Sequence, residues 1–442
     1  MVLPSSLIFI SAQPDQTYFH WQVELYLNNF HKKGIPKDQL FALFSITSDP
    51  SEYIINLKKD YPGIFWYKDT RENKTYQPSI RPHILKKFFE EFPNLGKNVF
   101  YHDSDILFYK LPDFKILMRR EDMGYVSDTI DYIGFNYIEG CCKRYKKTHP
   151  DIPELDLLNK MADIVNIDIE LIRNNQNNSG GAQYLLKNIN SDYWKQSEID
   201  GIKLYQLMVK YEKNHPIDHH IQKWTAGMWA ELWNYWKLGR KTEVHKEISF
   251  SWATHKIDNK IWGYKYHNIF HLAGVTETFI KDNPDYFFKG VYINKNIIEL
   301  LKNDIHFFDY VNVNNNTWMY INHAIQYVSD KYNIYYGKKK TVQKNKTDQR
   351  KYNILPALNA VEFILDIKST HPHITGSYKE TQKKYFGKNL WICNEKQKII
   401  FYNNTRWIIT DVKCECEISE TCGGFTCSEV TNKPPHQCIW NI

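Results

Sequence analysis

The sequence predicts an α/β fold: a mixed, mainly parallel sheet flanked by helices, followed by a small β-rich C-terminal module. Three observations point there. Across the first 110 residues, short apolar runs alternate with amphipathic stretches, as strands joined by crossover helices do. The 442 residues are 42% hydrophobic and 24% charged, a composition that supports one large core plus an accessory domain rather than a disordered chain. Six of the eight cysteines crowd into the last fifty residues, which sets the tail apart as a unit of different character.

Leu7 to Ser11 is the first strand; Ala12 to Thr17 is a polar loop, and a helix runs through Trp21, Val23, Leu25 and Tyr26. Leu40 to Ile46 and Ile64 to Tyr67 are the next two strands, with helical spacing between them from Glu52 to Tyr61. Arg81 to Phe92 reads as a helix opening at Pro82, a residue suited to a first turn. Asn98 to Tyr101 is a buried strand that runs straight into His102-Asp103-Ser104-Asp105. Beyond it we expect a strand at Met123 to Val126 and a helix from Gly180 to Lys187. A Trp-rich helix follows around Gln222 to Lys237, then a strand or turn at Phe270 to Val275 and helices within residues 291–333. Gly337 to Lys351 is dense in Lys, Gln and Asn and nearly free of apolar residues, as a linker is. The expected domains are therefore 1–335, a linker at 336–369, and a Cys- and aromatic-rich β module at 370–442.

The net charge of +7 is spread along the chain with no basic arm, so no nucleic-acid partner is expected. No run of about 18 apolar residues occurs, so no transmembrane segment is expected. The apolar start from Met1 to Ile10 lacks the basic flank and cleavage site of a signal peptide.

The chemistry centres on Asp103-Ser104-Asp105. An Asp-x-Asp triplet arises by chance about once in a chain of this length, so its position carries the signal. In open α/β sheets ligands bind beyond the carboxyl ends of strands, and this triplet follows a buried strand. Two carboxylates there can hold a hard divalent cation, Mn²⁺ or Mg²⁺, against a diphosphate whose charge builds as a glycosidic bond breaks. The alternative is that they cap the strand end and bind loop amides.

Three stretches together resemble the GT-A glycosyltransferases with a DxD motif. They are Tyr76-Gln77-Pro78-Ser79-Ile80-Arg81-Pro82-His83-Ile84, Phe100-Tyr101-His102-Asp103-Ser104-Asp105-Ile106-Leu107-Phe108, and Asn178-Ser179-Gly180-Gly181-Ala182-Gln183-Tyr184-Leu185-Leu186. Within that superfamily the sequence is most similar to the hydroxyproline arabinosyltransferase and peptidyl-serine galactosyltransferase group and to related enzymes of large viruses, over about residues 1–290. The resemblance implies a nucleotide-sugar donor, a UDP-sugar, and a glycan or glycoprotein acceptor. It also implies that Ala12, Gln13 and Tyr18 lie against the base and ribose, and that Arg81 approaches the donor. Asp103 would face ribose or sugar, Asp105 would ligate the metal, and His271 would be a third ligand.

Ser179-Gly180-Gly181 would sit before a helix and cradle a sugar or phosphate, with Gln183 reaching sugar hydroxyls; a plain Gly-Gly cap is the alternative. Asp218, and after it Glu231, are the candidates for the acid that deprotonates the acceptor or stabilises the oxocarbenium-like centre. Asp218, His219 and His220 are adjacent and cannot all point at one ion from a helix, which argues against zinc there. The tryptophans from Trp224 to Trp233 are either core or an acceptor platform. In the tail, Tyr378, Tyr385, Trp391, Tyr402, Trp407 and Trp440 either bind glycan or form the core of a small domain. N-x-S/T sequons begin at Asn73, Asn177, Asn315, Asn345 and Asn403. A glycan on Asn177 would fall in the expected site, which argues for a cytoplasmic location, or by the viral resemblance a viral factory or virion, over the secretory lumen. Competing functions are a non-catalytic glycan-binding protein, which needs no metal, and a nucleotidyltransferase, whose Gly-rich first loop is not matched by Ser11 to Thr17.

Overall fold

The computed structural model describes residues 6–334 and 336, together with the backbone of seven strand segments between residues 364 and 441. The chain divides into two units, Met1–Asn345 and Lys346–Ile442.

The first unit is built on ten strands: Leu7–Pro14 (β1), Leu40–Ile46 (β2), Ile64–Lys68 (β3), Asn98–His102 (β4), Ile106–Phe108 (β5), Met123–Asp128 (β6), Gly180–Lys187 (β7), Lys241–Val244 (β8), Phe250–Trp252 (β9) and Ile269–His271 (β10). Seven form the central sheet in the order β3-β2-β1-β4-β7-β6-β8, and β5-β10-β9 form a smaller one. In the central sheet β7 alone runs against its neighbours, antiparallel to both β4 and β6, while β1, β2, β3 and β4 are mutually parallel and β6 is parallel to β8. This is the mixed, mainly parallel sheet flanked by helices that the sequence predicts.

Both faces of the sheet are covered, and the pleat divides its side chains between two cores. Leu7, Phe9 and Phe100 pack on one side with the helix Thr17–Lys32, through Trp21, Leu25 and Phe30. Ile8, Ile10, Val99 and Tyr101 pack on the other with the helices Ile80–Glu91, Ser191–Asn214 and Ala226–Lys237, through Leu85, Phe88, Trp194 and Trp233. Strands buried on both faces read as continuous apolar runs, which is why β1 and β4 stand out in the sequence.

The same property defeats the reading of Gly180–Lys187, which is not a helix but β7. Its residues Tyr184, Leu185 and Leu186 are all buried, and a short apolar run that is buried all round does not distinguish strand from helix. Register with β6 shifts between Val126 and Asp128, and Ala182 sits in the left-handed region at φ 68°, a bulge that re-aims the strand next to the end of β4. The other elements expected from the sequence lie within a few residues of their predicted bounds, while the helices Phe135–Thr148, Asp156–Val165 and Ser191–Asn214 and the strands β8 and β9 are not among them. The Trp-rich helix begins at Ala226, after a 3-10 turn at Lys223–Thr225, and Ile297–Asn303 and Thr317–Tyr332 are the late helices. No helix among the described residues is long and apolar enough to cross a membrane.

The second unit contains an antiparallel meander, Ile364–Ile367 (β11), Gly376–Tyr385 (β12), Lys388–Cys393 (β13), Lys398–Tyr402 (β14), Trp407–Asp411 (β15), Phe425–Cys427 (β16) and Trp440–Asn441 (β17), hydrogen-bonded in that order. Its first strand falls inside the stretch expected to be linker. Gly337 to Lys351 and most of the tail cysteines lie outside the described residues.

Candidate active site

The site forms where β4 ends. The chain leaves His102, passes through Asp103 to Asp105, and re-enters as β5, which pairs antiparallel with β10 so that Ile106 lies opposite His271. The Leu272 amide donates to the Asp105 carbonyl at 3.0 Å. A late segment of the chain is thereby brought against the acidic triplet. The turn itself is pinned to the first helix, because Ser104 Oγ donates to Gln22 Oε1 (2.9 Å) and the Phe108 amide donates to Asn29 Oδ1 (2.7 Å). His102 points into the core against Tyr26 and Phe30, where burial pushes its pKa down to about 4, so it is neutral at physiological pH.

Each carboxylate divides its oxygens between a basic side chain and a shared centre. Asp103 Oδ1 lies 2.6 Å from Arg81 Nη1, and its Oδ2 lies 3.5 Å from His271 Nε2. Asp105 Oδ2 accepts from Lys289 Nζ, and its Oδ1 lies 3.2 Å from His271 Nε2. Asp103, Asp105 and His271 each offer one ligand atom within 4.8 Å of the others. They are the one such group of His, Cys, Asp or Glu found among the described residues; Asp218, His219 and His220 do not form one. Two carboxylate oxygens and an imidazole nitrogen fit a divalent cation of the Mn²⁺ or Mg²⁺ kind. Burial alone would raise the Asp105 pKa, but the charges of Lys289 and His271 hold it well below the usual carboxylate range.

The cluster opens into a cavity of about 280 Å³ lined by Tyr18, Gln22, Arg81, Trp252, His271 and Lys289 among others. An adjoining cavity of about 180 Å³ shares Arg81, Asp103, Ala182 and Trp224 with it and has Glu231 in its wall. Glu231 is buried on the helix Ala226–Lys237. Burial pushes its pKa up to about 8, with the Arg81 charge pulling the other way. The start of that helix is held by Tyr76, whose hydroxyl donates to the Trp224 carbonyl (2.7 Å) and accepts from the Gly227 amide (2.9 Å).

Of the residues expected in the site, Tyr18, Arg81, Asp103, Ser104, Asp105 and His271 line the first cavity and Glu231 the second. The others go elsewhere. Ala12 and Gln13 are buried within β1, where Gln13 Nε2 donates to the Leu43 carbonyl. Ser179 Oγ donates to the Asn175 carbonyl. Gly180 and Gly181 open a strand rather than a helix, so they offer no helix-terminal amides. A Cβ on Gly180 would lie 2.1 Å from the Ser127 carbonyl oxygen, and one on Gly181 2.5 Å from the Tyr184 hydroxyl, so close packing is what requires glycine. Gln183 is fully buried behind His271. Asp218 is exposed in the loop before the Trp-rich helix and lines neither cavity. Asn177 is also exposed and lines neither, so a glycan there would not occupy the site and the argument drawn from it about location falls. Trp229, Trp233 and Trp236 are core, whereas Trp224 is 62% exposed and lines both cavities. Lys289 and Gln22 were not foreseen: neither stands in a motif, and nothing marks Lys289 among the 57 Lys and Arg.

No family model matches the chain, and no curated protein matches it. Among solved structures it is similar to the galactosyltransferase LgtC in complex with donor and acceptor sugar analogs, at 10% identity and a TM-score of 0.30 over 63% of this chain and 96% of that one. An active-site mutant of LgtC gives 11% identity and a TM-score of 0.32 over 63% and 96%. Mouse xyloside xylosyltransferase 1, apo form, gives 8% and 0.30 over 60% and 97%. Likeness at this level assigns no function, which has to be argued from the site.

Proposed function

We propose that residues 1–335 form a metal-dependent glycosyltransferase of the GT-A type, which transfers a sugar from a nucleotide-sugar donor, a UDP-sugar, to a hydroxyl of a glycan or glycoprotein. The observation that carries this reading is the convergence of Asp103 Oδ2, Asp105 Oδ1 and His271 Nε2 at the carboxyl end of β4, on the wall of an open cavity. Mn²⁺ or Mg²⁺ held there would offset the charge that builds on the departing diphosphate. Arg81 and Lys289 add two fixed positive charges at the same place. In the adjoining cavity Glu231 is the group able to take the acceptor hydroxyl's proton, and it does so when ionised. The second unit is a separate β module that starts at β11 rather than at residue 370, so the linker expected at 336–369 ends before Ile364.

The test is a panel of nucleotide sugars with Mn²⁺, scoring released nucleoside diphosphate for the wild-type chain and for Asp105→Ala. Turnover of one UDP-sugar that Asp105→Ala abolishes is the expected result. Equal turnover by the variant overturns the metal assignment, and silence across the panel favours a glycan-binding protein.

A further inference from the structure

A third cavity, of about 590 Å³, opens beside the one at the acidic triplet and shares Thr129, Tyr132 and Trp252 with it. It is larger than either cavity described above and falls in the size range of ligand sites. Trp262, His255 and Gly274 complete its wall. Gly274 is required there: it stands in the left-handed region at φ 92°, and a Cβ on it would lie 3.2 Å from Thr254 Cγ2.

The charge of this wall is opposite to that beside the triplet. Arg81 and Lys289 line the first cavity, but neither lysine nor arginine lines the third. Asp128 and Asp131 do, both exposed and neither in an ion pair among the described residues. Lys256, next in sequence to His255, turns away to Asn315 and over the Tyr286 ring. A diphosphate therefore belongs beside Arg81 and Lys289, and the third cavity favours a ligand without negative charge. Thr129 gives a second, independent signal. It is 5% exposed in the wall common to the two cavities, and its Oγ1 has no hydrogen-bond partner among the described residues. It does not even cap the helix Ile130–Ile133 that it precedes. Buried hydroxyls are paired as a rule, so a ligand that brings the partner accounts for one left free. Two part-buried tryptophans add flat apolar surface, and the Trp262 ring is fixed by stacking with His255 and His267. Aromatic faces that pack on C–H faces, with carboxylates and a hydroxyl to bind O–H groups, are the chemistry of sugar recognition.

We propose that this third cavity is an outer subsite for a neutral oligosaccharide acceptor. The reacting sugar stands in the cavity at the triplet, and the next unit lies against Trp252 and Trp262 with its hydroxyls on Asp128, Asp131 and Thr129. Its role as an acceptor subsite rests on the function proposed above; its binding of glycan does not.

The test needs neither donor nor metal. The full-length chain is titrated over a printed array of neutral oligosaccharides of one to four units and their uronate- or sialic-acid-bearing counterparts. The wild type should bind neutral glycans of two or more units and discriminate against the acidic ones. Trp262→Ala should weaken that binding about 10-fold. Thr129→Val, which removes no existing hydrogen bond, should weaken it about 2–10-fold with the melting temperature unchanged, and guards against misfolding of the tryptophan variant. Asp128→Asn combined with Asp131→Asn should admit the acidic glycans, a gain that a merely structural role would not produce. A wild type that binds no neutral glycan, or binds acidic ones as well, overturns the proposal. So does binding unaltered in both Trp262→Ala and Thr129→Val, which would place the glycan elsewhere on the chain. Glycan binding that follows this pattern in a chain that turns over no nucleotide sugar upholds the subsite and removes the transferase reading instead.

Discussion

Lys289 Nζ donates to Oδ2 of Asp105, reaching it from a 3-10 turn at Lys289–Tyr292 that is remote in sequence. The contact places a positive charge beside the carboxylate while the other oxygen of Asp105 still faces His271. Lys289→Met should lower kcat for donor cleavage by about 10²–10³-fold, as the loss of one preorganised charge contact at a developing anion does. Steady-state kinetics at saturating Mn²⁺ would check it. A group whose pKa is depressed on folding stabilises the native state above its ordinary pKa of 3.8, and that stability is lost as pH falls. Without Lys289 the Asp105 pKa rises, so acid unfolding of Lys289→Met should begin at a higher pH than in the wild type, as followed by circular dichroism.

Glu231 is shifted the other way, from an ordinary 4.5 up to about 8. Between those values the native state holds a proton that the unfolded chain has released, so this group makes stability fall as pH rises through the window. Glu231→Gln should flatten that slope in urea titrations run at successive pH values. If ionised Glu231 takes the acceptor's proton, the wild-type rate should climb through about pH 8, and the variant should lose the climb along with about 10²–10⁴-fold in rate.

Asp218 provides the contrast. Being exposed and outside both cavities, it should tolerate Asp218→Ala with kcat/KM within about 2-fold of wild type, as a surface substitution does. A large loss would place Asp218 in the reaction after all and would move the acid's role away from Glu231.

Trp224 is 62% exposed at the rim shared by the two cavities. Since its backbone, not its ring, holds the Tyr76 hydroxyl, Trp224→Ala should leave the melting temperature almost unchanged. A ring that stacks on a sugar face would show itself as a KM about 10-fold higher, corresponding to roughly 1–1.5 kcal/mol.

Gly180→Ala should destabilise the protein by about 1–3 kcal/mol, the usual cost of forcing atoms into a packed interior. The added carbon would sit 2.1 Å from the Ser127 carbonyl oxygen. Guanidinium unfolding would measure the loss, and an unchanged midpoint would show that β7 and β6 can separate at that point.

The elements that sequence alone made legible are those whose signal is local. β1, β2 and β4 are apolar runs of strand length, and the helix beyond Ile80 begins near a proline. The Asp103-Ser104-Asp105 triplet could be placed at a strand's carboxyl end because strand and triplet are contiguous. Gly180–Lys187 could not be read as a strand: its glycines and buried aliphatics suit a helix equally, and only its neighbours β4 and β6 decide the matter. What tertiary structure alone decided is which distant side chains face Asp105. His271 arrives through pairing of β5 with β10, and Lys289 through a turn with no motif. Backbone preference and hydrophobic period are written residue by residue, whereas a charge cluster is assembled by packing across segments well over a hundred residues apart, and no local pattern encodes that distance.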